Sequence, residues 1–140
     1  MAMMMDADAL HDFMHDQFPQ VAGDFAIEAL SPDGVTVRLH VTQKHLRPGG
    51  TVSGPSIFAL ADVSIYFAVL SRIGPRALAV TTNCAIDFMR RPAAATDLLC
   101  EARLLKLGRV LAVGDALIRS EGTTEPVARA SLTYSIPPSD

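Results

Sequence analysis

Tryptophan is absent from this sequence and cysteine is scarce, with only Cys84 and Cys100 among 140 residues. The two cysteines have neither a CxxC spacing nor an accompanying histidine pattern, so they support neither a zinc motif nor a disulfide framework. We expect both to be reduced residues of the core. His11 and His15, four residues apart in the first predicted helix, lack a third ligand nearby. We therefore expect them on a solvated helix face and expect no metal site.

Charged residues are also few, at 19% of the chain, and neither sign dominates, with 12 Lys and Arg against 15 Asp and Glu. The basic residues are scattered, which argues against nucleic acid as the main partner. The segment Met1–Met5 has no basic region before its apolar residues, so we expect no secretory signal, no membrane association and a cytoplasmic protein. Hydrophobic residues make up 49% of the chain. We expect some of that apolar surface to close against another subunit.

The longest apolar run, from Ser56 to Leu70, contains a single charge, Asp62. The run is apolar on nearly every side of a helical wheel, which is typical of a buried helix, and it is shorter than the roughly 20 residues of a membrane span. Ser53 is a suitable N-cap, and Pro55 in the first turn loses no hydrogen bond. Gly54 leaves its backbone N–H open to a ligand at the positive end of the helix dipole.

Asp62 is unexpected in such a helix, because burying an ionised carboxylate is unfavourable by several kcal/mol unless the group is paired or hydrogen-bonded. Two interpretations remain open. The carboxylate either caps a neighbouring loop from one wet stripe of the helix, or it lines a pocket as a general base or nucleophile.

The rest of the chain predicts one further helix and six strands. The amphipathic segment from Asp6 to Phe18, ended by Pro19, predicts the first helix. The predicted strands cover residues 25–30, 35–42, 77–89, 97–107, 109–119 and 127–136. The third of them is long enough to suggest a bend or bulge near Thr81 to Asn83. This order predicts one α+β domain over residues 1–140, with a curved antiparallel sheet wrapped round one long central helix.

Two segments resemble the motifs of hotdog-fold acyl-CoA thioesterases related to the phenylacetate-pathway enzymes, and the resemblance covers roughly residues 35–134. In the first segment Arg47, Gly50, Ser53-Gly54-Pro55 and Asp62 occupy the places of the family's Asn, Gly, His-Gly-Gly and acidic residue. In the second, the matching positions are Val80, Thr81, Phe88, Pro92, Lys106, Gly108 and Arg109. The chain departs from the family at two places, with Arg47 for Asn and Ser-Gly-Pro for His-Gly-Gly.

The resemblance implies a hotdog fold and a thioesterase that hydrolyses acyl-CoA to free acid and coenzyme A, with no cofactor apart from the coenzyme A of the substrate. It implies that the Gly54 N–H holds the thioester oxygen and that Asp62 activates water or attacks the carbonyl. It also implies a homodimer or dimer of dimers, in which Thr82 of the other subunit helps to place water. Arg47 either donates to the carbonyl in place of Asn, or pairs with Asp62 and silences it.

Four basic residues resemble those of the family that meet the phosphates of coenzyme A at the pocket mouth: Arg90, Arg91, Lys106 and Arg109. The alternative is that they form a solvated basic rim. The departures at Arg47 and Ser53 keep a second function open, that of a catalytically weak acyl-CoA-binding or ligand-sensing hotdog protein. Hydratase or dehydratase chemistry is disfavoured, because it requires a His near the acid and none occurs from Pro48 onward.

Overall fold

A computed structural model describes residues 3–138, so both ends of the predicted 1–140 domain lie outside the described residues. The chain forms two α-helices and six strands, in the order α1 (Ala7–Gln17), β1 (Phe25–Ser31), β2 (Gly34–Leu39), α2 (Gly54–Ile73), β3 (Val80–Phe88), β4 (Leu98–Leu107), β5 (Leu111–Ser120) and β6 (Pro126–Ser135). Short 3-10 turns cover Ala22–Asp24 and Gln43–His45. Every helix and strand expected from the sequence is present.

The strands form one antiparallel sheet in the order β1-β2-β4-β5-β6-β3, and α2 packs against it. Small residues on β5 and β6 let the helix approach the sheet closely. At Gly114 of β5, an added Cβ would lie 2.7 Å from the Ile65 side chain and 2.8 Å from the Arg103 carbonyl oxygen. This position therefore excludes any side chain. The curved sheet around one long helix confirms the predicted hotdog architecture.

The central helix is longer than its apolar run. It begins after Ser53, whose hydroxyl accepts from the Ser56 N–H, and it ends at Gly74, which has a positive φ of 92°. With 20 residues, α2 is the one helix in the described part of the chain that could span a membrane by length and composition alone. Most of its side chains instead fill the core, among them the fully buried Leu60, Ile65 and Phe67. The helix is therefore the centre of the hydrophobic core.

The first helix packs beside this core and is tied to the sheet edge by a histidine. Asp6 caps α1, and His11 accepts a hydrogen bond at Nε2 from the Ile27 N–H, where the β1–β2 register shifts. The expectation that His11 lies on a purely solvated face is wrong, because the bulge in β1 turns a backbone N–H towards α1. Cys100 is buried and Cys84 half-buried, and both are free thiols.

Candidate active site

The single charge of the central helix is held by two hydroxyl groups from the sheet. The half-buried Asp62 accepts at Oδ1 from Thr81 Oγ1 at 2.5 Å and from the Tyr134 hydroxyl at 2.7 Å. The Tyr134 oxygen also lies 3.0 Å from the backbone carbonyl oxygen of Asp62. The carboxylate thus has the hydrogen-bond partners that a partly buried charge needs.

A bulge in β3 brings the threonine to the carboxylate. Thr81 and Tyr134 are cross-strand neighbours in the β3–β6 ladder, and the register shifts between Thr81 and Asn83. Because a bulge inserts one extra residue, it reverses which side chains face the helix beyond that point. The predicted bulge is confirmed, and it places Thr81 against Asp62.

Thr82, the predicted site threonine, lies within the bulge and is exposed, with its hydroxyl 3.3 Å from the Thr133 carbonyl oxygen. Within one chain it therefore does not contact Asp62. Its predicted role, which requires a second subunit, stays a prediction.

Asp62 borders an apolar cavity of about 230 Å³. The cavity lies between α1, α2 and the β3–β6 edge, and its walls are formed by Met14, Phe18, Val21, Asp62, Val63, Tyr66, Ala77, Ala79, Val80, Thr81 and Tyr134. We call this space the tyrosine cavity. The Tyr66 and Tyr134 rings stack with centroids 6.0 Å apart, and Phe18 meets Tyr66 edge to face at 5.9 Å. An apolar cavity with one anchored carboxylate in its wall is typical of a small-molecule site.

The two tyrosine hydroxyls of this cavity remain protonated at neutral pH. Burial raises the pKa of Tyr66 to about 12. Burial, together with the charge of Asp62, also raises the pKa of Tyr134. Tyr66 donates to the Ala77 carbonyl oxygen at 3.1 Å, whereas Tyr134 donates to the carboxylate. Tyr134 is therefore a permanent hydrogen-bond donor to Asp62.

Asp62 also borders a second cavity, of about 220 Å³. Its walls include His45 and Asp24, which sequence reasoning did not connect with the site, and it shares Val21, Asp62 and Val63 with the tyrosine cavity. Asp62 is therefore part of the wall of two neighbouring spaces.

His45 holds the loop before α2 in place. It is only 6% exposed, and its Nδ1 accepts from the Thr42 N–H at 2.9 Å, so that Nε2 carries the proton and faces Asp24 Oδ2 at 3.5 Å. Its backbone oxygen accepts from the Ser53 N–H at 2.8 Å. Since Nδ1 accepts a backbone hydrogen bond, its lone pair is not free to act as a general base. The structure thus adds no support for a hydratase.

The loop that His45 fixes carries Arg47 and leads directly into Gly54. Its backbone closes on itself, since the Arg47 N–H donates to the Thr51 carbonyl oxygen at 2.9 Å, and Gly49 and Gly50 adopt positive φ angles of 102° and 82°. Gly54 opens α2, where the first N–H groups have no intrahelical acceptor. The Arg47 side chain is exposed, and among residues 3–138 it forms no ion pair with Asp62.

The four basic residues predicted to meet coenzyme A do not lie together in one chain. Arg90 and Arg91 follow β3, at the end of the sheet where Phe88 lies beside Gly54, and Arg90 pairs with Glu125. Lys106 and Arg109 lie on the β4–β5 hairpin, and the strand registers place that hairpin at the opposite end of the sheet. Their role in binding phosphates stays a prediction.

The fold is that of a hotdog protein, and Asp62 lies in the wall of an apolar cavity beside the β3–β6 edge. The sequence pattern of the Thioesterase superfamily matches residues 49–127, which is more than half of the chain. The chain therefore belongs to the thioesterase superfamily, and the resemblance seen in the sequence is confirmed.

Individual relatives agree with this family. A provisionally named thioesterase from a Silicibacter species is 59% identical, with 99% of this chain and 96% of that chain covered and a TM-score of 0.93. A mutant of the phenylacetic acid degradation protein PaaI from Thermus thermophilus is 27% identical, covering 85% and 99%, with a TM-score of 0.72. A provisionally named esterase from Deinococcus radiodurans is 36% identical over 68% of this chain, which spans 62% of that protein's length. These relatives support thioester hydrolysis in general.

Proposed function

We propose that the protein is an acyl-CoA thioesterase in which Asp62 is the general base or nucleophile. The observation that carries this proposal is the anchored carboxylate, which two hydroxyls hold in the wall of an apolar cavity, within the fold of a thioesterase superfamily member. The tyrosine cavity is the proposed site of the acyl group. Coenzyme A enters as part of the substrate, so that the reaction needs no further cofactor.

Hydrolysis requires a donor for the carbonyl oxygen, where negative charge develops, and a group that activates the attacking water. In the base mechanism, Asp62 takes a proton from water while the water oxygen bonds to the thioester carbon. The carbon–sulfur bond then breaks, and the thiolate of coenzyme A leaves and takes up a proton. In the nucleophile mechanism, Asp62 itself bonds to the carbon, the carbon–sulfur bond breaks, and the thiolate of coenzyme A leaves and takes up a proton. Water then hydrolyses the resulting anhydride to the free acid and the Asp62 carboxylate.

The Gly54 N–H is the proposed carbonyl donor, but it cannot act with Asp62 of its own chain. Eight residues separate them on α2, which is about 12 Å at 1.5 Å per residue, whereas an oxyanion donor must lie about 3 Å from the reacting oxygen. A complete site therefore needs two copies of the chain, one supplying Gly54 and the other Asp62. The expected dimer meets this requirement.

The β3 edge offers a surface for such a dimer. β3 is the outermost strand at one side of the sheet, and Val80 and Phe88, at its two ends, are 56% and 54% exposed. An unpaired apolar edge strand favours pairing with another chain. Pairing of β3 with its copy would form a two-fold interface next to both Thr81 and Phe88, and thus next to the Asp62 and Gly54 regions.

The test is a panel of acyl-CoA thioesters assayed for free thiol release. We expect the parent protein to hydrolyse at least one of them and Asp62→Asn to lose about 10²-fold or more of kcat, the range of a general base. The matched control is Asp115→Asn, because Asp115 lies on β5, within the sheet and away from the β3 edge, and pairs with Arg103. Acyl-CoA binding without thiol release would instead support the ligand-sensing alternative, and equal rates for the Asp62 variant and the parent would refute the mechanism.

A further inference from the structure

We propose that Tyr134 is a positioning residue for the Asp62 carboxylate: with Thr81 it fixes Oδ1 and leaves Oδ2 as the oxygen that acts on water or substrate. This inference rests on the proposed function. Tyr134 lies in β6, outside both motif segments that resemble the family and beyond residues 49–127 that match its pattern. The assignment therefore depends on the geometry alone.

The two hydroxyls converge on one oxygen of the carboxylate. Thr81 Oγ1 and the Tyr134 hydroxyl lie 2.5 Å and 2.7 Å from Oδ1. A phenol has a single proton, and the carboxylate oxygen is both nearer to Tyr134 and more strongly attractive than the neutral Asp62 carbonyl oxygen at 3.0 Å. The proton of Tyr134 is thus directed to Oδ1, and the carboxyl plane is fixed from one side.

The donor itself is held rigidly. Tyr134 is 2% exposed, its backbone is paired with both β3 and β5, and its ring stacks on Tyr66. Its raised pKa keeps the proton in place across the pH range of an assay. Thr81 is the cross-strand neighbour of Tyr134, so the two donors keep a fixed distance from each other. Two rigid donors on one oxygen define the direction in which the other oxygen points.

The consequence concerns kcat rather than substrate affinity. Tyr134→Phe retains the ring, and with it the cavity wall, but removes one of the two donors, so that only Thr81 holds Oδ1 and the carboxylate rotates more easily about its Cβ–Cγ bond. Since a displacement of about 1 Å can cost about 10²-fold in rate, we expect kcat to fall about tenfold, with KM within about twofold of the parent value. A tyrosine that only stabilised the fold would leave the kcat of the folded protein unchanged.

The experiment compares Tyr134→Phe, Asp62→Asn and the double variant by steady-state kinetics on the best acyl-CoA, with melting temperatures measured alongside. Because Tyr134 acts through the carboxylate, its substitution should lower kcat in the parent and have no further effect in Asp62→Asn. The matched control is Ser71→Ala, which removes another buried hydroxyl, one that donates to the Ala68 carbonyl oxygen near the end of α2. We expect this control to lower the melting temperature and leave kcat unchanged.

An unchanged kcat in Tyr134→Phe, or an equal loss in the Asp62→Asn background, would overturn the inference while leaving the thioesterase proposal intact. If the parent protein hydrolyses no acyl-CoA, the proposed function is refuted. The inference about Tyr134 is then tested by a measurement that does not depend on activity. Carbodiimide labelling of Asp62, read by mass spectrometry, should be faster in Tyr134→Phe and unchanged in Ser71→Ala. Equal labelling of Tyr134→Phe and the parent would show that Tyr134 does not position the carboxylate.

Discussion

The need for two chains at one site can be tested by removing the backbone donor of Gly54. Gly54→Pro deletes this N–H at a position in the first helical turn, where proline is favoured, and Ser53, at φ −73° and ψ 155°, already has the extended backbone that precedes proline. Because Pro55 follows and disfavours a helical conformation of any side-chain-bearing residue before it, the variant is used only with a melting temperature close to that of the parent. Gly54→Ala is the matched control, since it keeps the N–H and places a Cβ 3.6 Å from the Phe88 ring, an ordinary contact distance. We expect Gly54→Pro to lower kcat about 10²- to 10³-fold, as for other oxyanion donors, and Gly54→Ala to remain close to the parent.

Mixing two inactive chains then shows whether the site is shared. In a dimer of one Gly54→Pro chain and one Asp62→Asn chain, one site combines the intact Asp62 of the first with the intact Gly54 of the second, and the other site loses both. Each mixed dimer thus has one working site of two, so the purified mixed dimer should show about half of the parental activity.

The assay is co-expression with two affinity tags, purification of the mixed dimer and measurement of thiol release. Each variant alone, carried through the same steps, provides the baseline. If mixed dimers are no more active than the two inactive homodimers, Gly54 and Asp62 do not act from different chains. If the protein is monomeric at micromolar concentration, the shared site is wrong altogether.

Two further predictions concern arginines. If Arg47 donates to the carbonyl in place of Asn, one of the two roles that the sequence leaves open, Arg47→Ala should lower kcat without changing the melting temperature, because the side chain is exposed; equal turnover would exclude that role. Arg38 joins Glu28, Asp97 and Glu121. Burial acts to raise the pKa of Asp97, but hydrogen bonds from the Val41 N–H and from Arg38 outweigh it, so that the pKa is lowered. The hydrogen bond from Arg38 also lowers the pKa of Glu121. A carboxyl group whose pKa is lower in the folded than in the unfolded protein stabilises the fold at pH values above its unfolded pKa, and this stabilisation is lost as the pH falls through its folded pKa. Arg38→Met should therefore lower the melting temperature at pH 7, and below about pH 4 the melting temperatures of the variant and the parent should differ less. A constant difference across this range would contradict the assignment.

Local patterns in the sequence were sufficient to predict the fold. The run around Asp62 predicted α2 because a helix that is apolar on nearly all sides must be buried, and alternation predicted strands such as β2, where Val35, Val37 and Leu39 face the core. The excess length of β3 predicted its bulge. The ends of elements were less certain, since α2 extends to Gly54 and Ile73, beyond the apolar run.

The candidate site was only partly predictable, because its other members come from distant parts of the chain. Tyr134 lies 72 positions after Asp62, and His45 and Asp24 reach the second cavity from loops. One signal was available: buried small and apolar residues alternate along β6 and end in Tyr134, a phenol that needs a hydrogen-bond partner. The sequence located the bulge in β3 but could not decide whether Thr81 or Thr82 faces the helix, since a register shift of one residue moves a side chain to the opposite face of the sheet.

The contacts of Asp62 also bear on the two interpretations that the sequence left open. A structural carboxylate in a core helix usually satisfies backbone N–H groups of a neighbouring loop, and the fold then depends on it. Asp62 instead accepts from the side chains of Thr81 and Tyr134, whose backbones are already paired within the sheet. The two hydroxyls thus stabilise the carboxylate, and within residues 3–138 its oxygens accept no hydrogen bond from a loop backbone. An apolar residue at this position of the core helix would need no such hydrogen bonds. Because the fold instead stabilises a carboxylate here, the arrangement favours a catalytic role for Asp62 over a structural one.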